Sequence, residues 1–138
     1  MTKPKAKGKT HTIEDFFTLP QSEAGVVVPL ILPDGGKTEH WFKVLGVDSE
    51  TFRKGTVRIH QKFLKQVGKE LPLEERMVEK REKDLLFISL LISEWSFDMP
   101  CNEENKVRIL RNAPALTETV DAFSNNRSNF FKKPSPSS

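Results

Sequence analysis

Leu85-Leu86-Phe87-Ile88-Ser89-Leu90-Leu91-Ile92-Ser93-Glu94-Trp95 is the most apolar stretch of the chain, and seven of its first eight residues are apolar. A helix drawn through Leu85–Ile92 has no polar face, so it must be covered on every side. It is too short for a bilayer, which needs about 20 apolar residues. The stretch therefore reads as the buried end of a central helix that the other elements cover. Upstream, Glu74–Asp84 is nearly all charge, so the same helix is expected to begin in solvent. Met77, eight residues before Leu85, extends the buried stripe, and Glu79–Lys83 is an i,i+4 ion pair in the favourable order.

Working outward, Val26–Leu32 is aliphatic and β-branched, Asp34-Gly35-Gly36 is a tight-turn signal, and Lys37–Val47 reads as the returning strand. Pro29 lacks an N–H and belongs on an edge. On the second strand His40, Phe42 and Val44 share one side and Trp41, Lys43 and Leu45 the other. Ahead of the hairpin, Thr12-Ile-Glu-Asp-Phe-Phe17 reads as one capped helical turn docked through Ile13, Phe16 and Phe17, and Pro20–Gly25 as a loop. After it, Asp48 is a fitting N-cap. Phe52, Thr56, Ile59, Phe63 and Val67 then recur at helical spacing, with Lys54, Arg58, Lys62, Lys65 and Lys69 on the outer side. Gly68 and Pro72 punctuate the passage into the long helix.

Beyond Trp95, Phe97–Cys101 breaks the helix. Asn102 caps a short one, with Val107 and Leu110 facing inward. Asn112-Ala113-Pro114 opens another whose inner side is Leu116, Val120 and Phe123, with Arg127 or Phe130 next. The expected fold is α+β, mostly α. It has an N-terminal β-hairpin (25–47) and a bundle of about four helices (about 49–67, 73–96, 103–111 and 114–129) around a central long helix. A basic tail (1–11) and a Lys/Pro/Ser tail (132–138) flank a single globular domain and carry too little apolar surface to fold.

Composition excludes more than it assigns. The formal charge is +3, part of it in the first ten residues, which is too weak a bias for a nucleic-acid surface. The lysine-alternating start fits a solvated tail or a basic arm for an acidic partner or nucleic acid. It has no apolar run behind it, so neither a secretory signal nor a membrane span is expected, and the chain should stay in the cytosol. Cys101 stands alone, and with His11, His40 and His60 it makes no ligand spacing for a metal. As a nucleophile Cys101 would need His40 or His60 brought to it by the fold. Gly36-Lys37-Thr38 resembles the end of a phosphate loop, but Ile31 stands where its first glycine belongs and a strand follows. No carboxylate pair is set apart by an apolar pocket, so no acid/base couple is named. With neither catalysis nor a cofactor indicated, the best candidates for function are Trp41 and Phe42, as a partner-binding surface on the edge hairpin.

One further pattern lies in Trp95-Ser-Phe97-Asp98-Met-Pro100-Cys101-Asn-Glu-Glu104-Asn105, followed by Pro114-Ala-Leu116 and Asn126-Arg127-Ser-Asn129-Phe130-Phe131. With the upstream hairpin, Val47-Asp48-Ser49 and Phe52, this order resembles the tail assembly chaperones of lambda-like, long-tailed bacteriophages and prophages, over about Gly25 to Phe131. Asn102 stands where Thr or Ser is expected as the cap. The resemblance implies a non-catalytic protein without cofactor. Such a protein works in the host cell cytoplasm, binds the tape measure protein, recruits major tail (tube) subunits during tail morphogenesis, and is absent from the mature virion. It also implies a longer form made by ribosomal frameshifting, for which Phe130-Phe131-Lys132-Lys133 is encodable by a T-run into an A-run. On this expectation, charging Trp41 or Phe42 weakens tape-measure binding and leaves the fold intact. Self-association stays open. The competing readings are a structural virion protein such as a head–tail connector and a small basic nucleic-acid-binding module.

Overall fold

A computed structural model describes residues 10–64 and 70–131. The expected tails and the Lys65–Lys69 end of the second helix fall mostly or wholly outside that range. The fold is α+β and mostly helical, with five α-helices and one three-stranded antiparallel sheet among the described residues. In chain order the elements are α1 (Leu19–Ala24), β1 (Val26–Ile31), β2 (Lys37–Val44), α2 (Glu50–Leu64), α3 (Leu73–Ser89), β3 (Ile92–Trp95), α4 (Glu103–Asn112) and α5 (Pro114–Asn125). Short 3-10 turns lie at Ile13–Phe16 and Arg127–Phe130. Among the described residues no helix is long and apolar enough to cross a membrane.

The central helix expected through Trp95 does not exist. α3 ends at Ser89, and the rest of the apolar run turns back as β3 on the far side of β2. Ser89 Oγ donates to the Leu86 carbonyl (2.7 Å). Leu90 and Leu91 N–H bond three residues back, to Phe87 and Ile88, which tightens the last turn. The Leu91 carbonyl then accepts Leu45 N–H at 2.7 Å. An apolar run of this length reads equally as buried helix or buried strand. Here the exposed backbone of β2 decides, because pairing with it satisfies groups that a longer helix would have satisfied internally.

The sheet order is β1-β2-β3. Its inner face carries Val28 and Leu30 from β1, Phe42 and Val44 from β2, and Ile92 and Trp95 from β3. Leu85, Val107, Leu110 and Val120 from three helices close over that face. Phe42, Val44, Leu91, Ile92, Leu110 and Val120 are essentially fully buried. The Trp95 indole N–H is satisfied by the Met99 carbonyl (2.9 Å).

Several local expectations change in the packed chain. Residues 19–24 form α1 with Pro20 in its first turn, where its missing N–H costs nothing. Ser49 caps α2, its Oγ accepting Phe52 N–H, while Asp48 turns outward to Arg127. Asn102 caps α4 through Asn105 N–H (2.9 Å). The last helix stops at Asn125, and Phe130 is buried against Phe123 from a separate 3-10 turn. Lys83 lies over the Phe63 and Phe87 rings, and the ion pair that forms on α3 is Lys80–Asp84 (2.9 Å). Ile13, Phe16, Phe17 and Met77, all expected inside, are exposed.

Gly46 is where two layers touch most closely. Its N–H donates to the Ser22 carbonyl (3.0 Å), and a side-chain carbon there would fall 2.9 Å from Ser22 Cβ and 3.3 Å from the Phe130 ring. Both neighbours are buried. Gly46→Ala should therefore destabilise by about 1–3 kcal/mol, measured by urea denaturation, as overpacking does in tight cores.

The Asp48–Arg127 pair ties the loop after β2 to the C-terminal turn, with Nε to Oδ2 at 2.6 Å and Nη2 to Oδ1 at 2.9 Å. The Arg127 hydrogen bond holds the Asp48 carboxyl below its ordinary range. A depressed carboxyl pKa adds stability above the unfolded value, and that stability is lost as pH falls through the folded value. Arg127→Ala should accordingly be less stable than wild type at neutral pH. Denaturant titrations should show the gap closing below about pH 4, the unfolded carboxylate value.

Candidate partner-binding surface

The hairpin register places three β1 side chains, Val27, Pro29 and Ile31, on the outer face of the sheet, all exposed. Trp41 of β2 lies directly opposite Pro29 and is partly buried; Lys43 lies opposite Val27. Leu32, just past β1, is also exposed. Lys43 reaches Glu94 across the β2–β3 pairing (3.4 Å), so an ion pair bounds the apolar patch on its β3 side. Scattered exposed apolar residues are ordinary on a protein surface. Here the register makes Val27, Pro29, Ile31 and Trp41 neighbours on one face, and contiguity of that kind marks interaction sites.

The edge beside this face is blunted. Trp41 N–H donates to Ser96 Oγ (2.8 Å) and its carbonyl accepts Ser96 N–H (3.2 Å), so its backbone points toward β3. Its partner Pro29 therefore sits in a non-hydrogen-bonded pair of the hairpin. Position 29 points its backbone nitrogen at the open edge, where proline has no proton to offer. Strand addition along β1 is interrupted at that point, which leaves the side-chain face as the surface for contact.

The two residues singled out from the sequence separate here. Trp41 is on the outer face. Phe42 is 1% exposed, stacks with Trp95 (6.0 Å between ring centres) and meets Phe97 edge-on. It takes no part in any surface, and charging it would unfold the protein rather than probe a contact. Val27, Ile31 and Leu32 were missed because every residue of Val26–Ile31 is apolar, so alternation gives no contrast; only pairing with β2 assigns them a side. Other apolar groups also face solvent: Ile13, Phe16 and Phe17 before α1, and Leu73, Met77 and Val78 on the charged half of α3.

Burial raises the pKa of the Cys101 thiol, which favours the unreactive protonated form. His40 stacks on Phe97 (4.3 Å) and bonds Ser96 Oγ (2.9 Å), and His60 lies against Phe87. Burial lowers the Lys106 pKa, but its ammonium is held by the Ile92 carbonyl (3.0 Å). Among the described residues no group of three or more His, Cys, Asp or Glu side chains stands close enough to hold a metal ion. Gly36 N–H bonds the Asp34 carboxylate (2.8 Å) and Thr38 Oγ1 bonds the Leu30 carbonyl (2.9 Å). Gly35 takes the positive φ of a hairpin turn. These bonds hold the Asp34–Thr38 turn closed on itself.

No family model, curated protein or solved structure matches the chain.

The two neighbours on β2 should behave oppositely. Phe42→Ala should cost about 3–5 kcal/mol in urea unfolding, the range for a fully buried aromatic. Trp41→Ala should cost about 1 kcal/mol or less, as at sites that remain partly solvated.

Proposed function

We propose that this chain is a tail assembly chaperone of a lambda-like, long-tailed bacteriophage or prophage. In this reading it is a non-catalytic cytoplasmic holdase that binds the tape measure protein, brings tail tube subunits to it, and leaves before the virion is complete. The motif order from Trp95 to Phe131 supports the reading, as does the apolar outer face of the sheet. The observation that carries it is the division of apolar side chains. Among the described residues fourteen large apolar residues are buried and fourteen are exposed, so many apolar side chains are offered outward.

A tape measure protein is long and largely helical, and its apolar faces would aggregate if left bare. Full burial of an aliphatic or aromatic side chain is worth roughly 1.5–3 kcal/mol. A patch such as Val27, Pro29, Ile31 and Trp41, already partly covered, therefore supplies less than about 12 kcal/mol gross. Association costs about 4–15 kcal/mol in lost freedom and ordering. One such patch binds weakly and exchanges quickly. Many copies along one client, or several patches per copy, hold it by avidity, and an assembling tube displaces them without a dedicated release step. The frameshifted longer form belongs to the same reading.

The test is co-expression with a tape measure protein of a lambda-like phage. The wild-type chain should keep that product soluble and co-purify with it. Ile31→Glu with Trp41→Glu should lose both effects while its own thermal melt stays within a few degrees of wild type. Undiminished co-purification would remove the sheet face from the reading. Recovery of the chain in finished particles would favour a structural virion protein instead.

A further inference from the structure

The outer face of the sheet carries charge as well as apolar area, and both are laid out about one centre. Pro29 and Trp41 stand opposite each other in the hairpin. On β1, Val27 and Ile31 flank Pro29 on either side, and both are exposed. On β2, Glu39 comes two residues before Trp41 and Lys43 two residues after it. His40, between Glu39 and Trp41, stacks on Phe97, which meets the inner-face rings of Phe42 and Trp95 edge-on. Side chains alternate along a strand, so Glu39 comes out on the outer side with Trp41. It lies where β2 bulges between its pairings with Pro29 and Ile31, and its side chain is 86% exposed. Its carboxylate stands 3.6 Å from the His40 ring and has no lysine or arginine partner among the described residues.

Such a layout is self-complementary. Consider two outer faces stacked by a two-fold axis that lies between them and crosses the strands at Trp41. The strands of the two copies then run antiparallel. Trp41 meets Trp41, Pro29 meets Pro29, and Val27 meets Ile31. Glu39 of each copy stands level with Lys43 of the other. An axis along the strands would instead set Glu39 level with Glu39 and Lys43 level with Lys43, and like charges opposite one another are destabilising. The charges therefore select one of the two stackings. Lys43 already has Glu94 at 3.4 Å, and both side chains keep solvent-exposed surface, so a second carboxylate joins that pair without displacing it. Edge-to-edge pairing, the other way for two sheets to meet, is interrupted along β1 by Pro29.

We propose that the occupant of the outer sheet face is a second copy of this chain, held as an antiparallel two-fold dimer about Trp41 with Glu39–Lys43 pairs on either side of the axis. The contact involves far fewer side chains than the roughly 20–30 residues a side of a standard interface. The dimer is therefore transient, and its population follows protein concentration. The face is also the one that the proposed function gives to a client. Resting on that reading, the dimer is the resting form in which free chains cover their own apolar surface until a client displaces the second copy. The dimer itself needs no client, so a failed co-expression test leaves it standing and its absence leaves the client contact standing.

Sedimentation velocity of the full chain alone tests it. From about 1 μM to about 500 μM at low salt, a monomer should pass to a dimer, as contacts below standard size do. Trp41→Glu should remain monomeric throughout with its thermal melt within a few degrees of wild type. Should that variant lose its fold, Ile31→Glu, at an exposed site, should remain monomeric in its place. Glu39→Lys should raise the dimer Kd at least about threefold, since two symmetry-related pairs turn repulsive together. Adding Lys43→Glu to Glu39→Lys should recover most of that loss, because the pairs are rebuilt with their signs exchanged. High salt should shrink the difference between Glu39→Lys and wild type. A monomer at every concentration would overturn the proposal. So would a dimer that survives both Trp41→Glu and Ile31→Glu, or a double exchange that dimerises no better than Glu39→Lys alone.

Discussion

The Leu45 N–H to Leu91 carbonyl bond marks the point on which the fold turns. A continuous apolar run leaves the chain free to prolong α3 or to give up its helical hydrogen bonds. It gives them up because β2 presents a row of backbone groups along its second side. Ile92–Trp95 satisfies them and becomes β3. A two-stranded ribbon is barely stable in water. The third strand makes β2 a central strand and brings Trp95 over Phe42. It also delivers the chain to Asn102 at the correct place for α4 to cover the sheet. The helices can close over Ile92 and Phe42 only once that strand is in place.

The same event divides the apolar side chains. With β3 supplying the inner layer, the core is complete without Met77, Val78, Ile13, Phe16 or Phe17, and these stay in water. The outer face of β1 is left with Val27, Pro29 and Ile31 because nothing among the described residues folds back over it. Solubility is kept by other means. The Lys43–Glu94 pair borders the sheet face, Pro29 interrupts the open edge, and Lys54, Arg58 and Lys62 line the solvent side of α2. Burial raises the pKa of the Cys101 thiol, and His40 bonds Ser96 Oγ.

Features set by neighbours in sequence were legible. Asp34-Gly35-Gly36 announced a turn because only glycine adopts the positive φ found at Gly35 without strain. Asn102 announced a cap because its side chain reaches a backbone N–H three residues on. The stripe of Phe52 and Ile59 announced an inward helical face. Features set by neighbours in space were misread or unseen. Asp48 was as good a cap as Ser49 until Arg127, far along the chain, claimed its carboxylate. Trp41 and Phe42 looked equivalent until β3 buried one side of the sheet.

The sequence by itself determined where α3, α4 and α5 start and where the hairpin turns, since each of these follows from residue type and short spacing. Tertiary structure alone decided whether Leu90–Trp95 is helix or strand, which face of β1 meets water, and whether Asp48 caps α2 or bridges to Arg127. The physical reason is common to all three. Local preferences there were nearly balanced, and the outcome went to whichever arrangement satisfied the backbone groups and buried the side chains of a partner segment brought close only by folding.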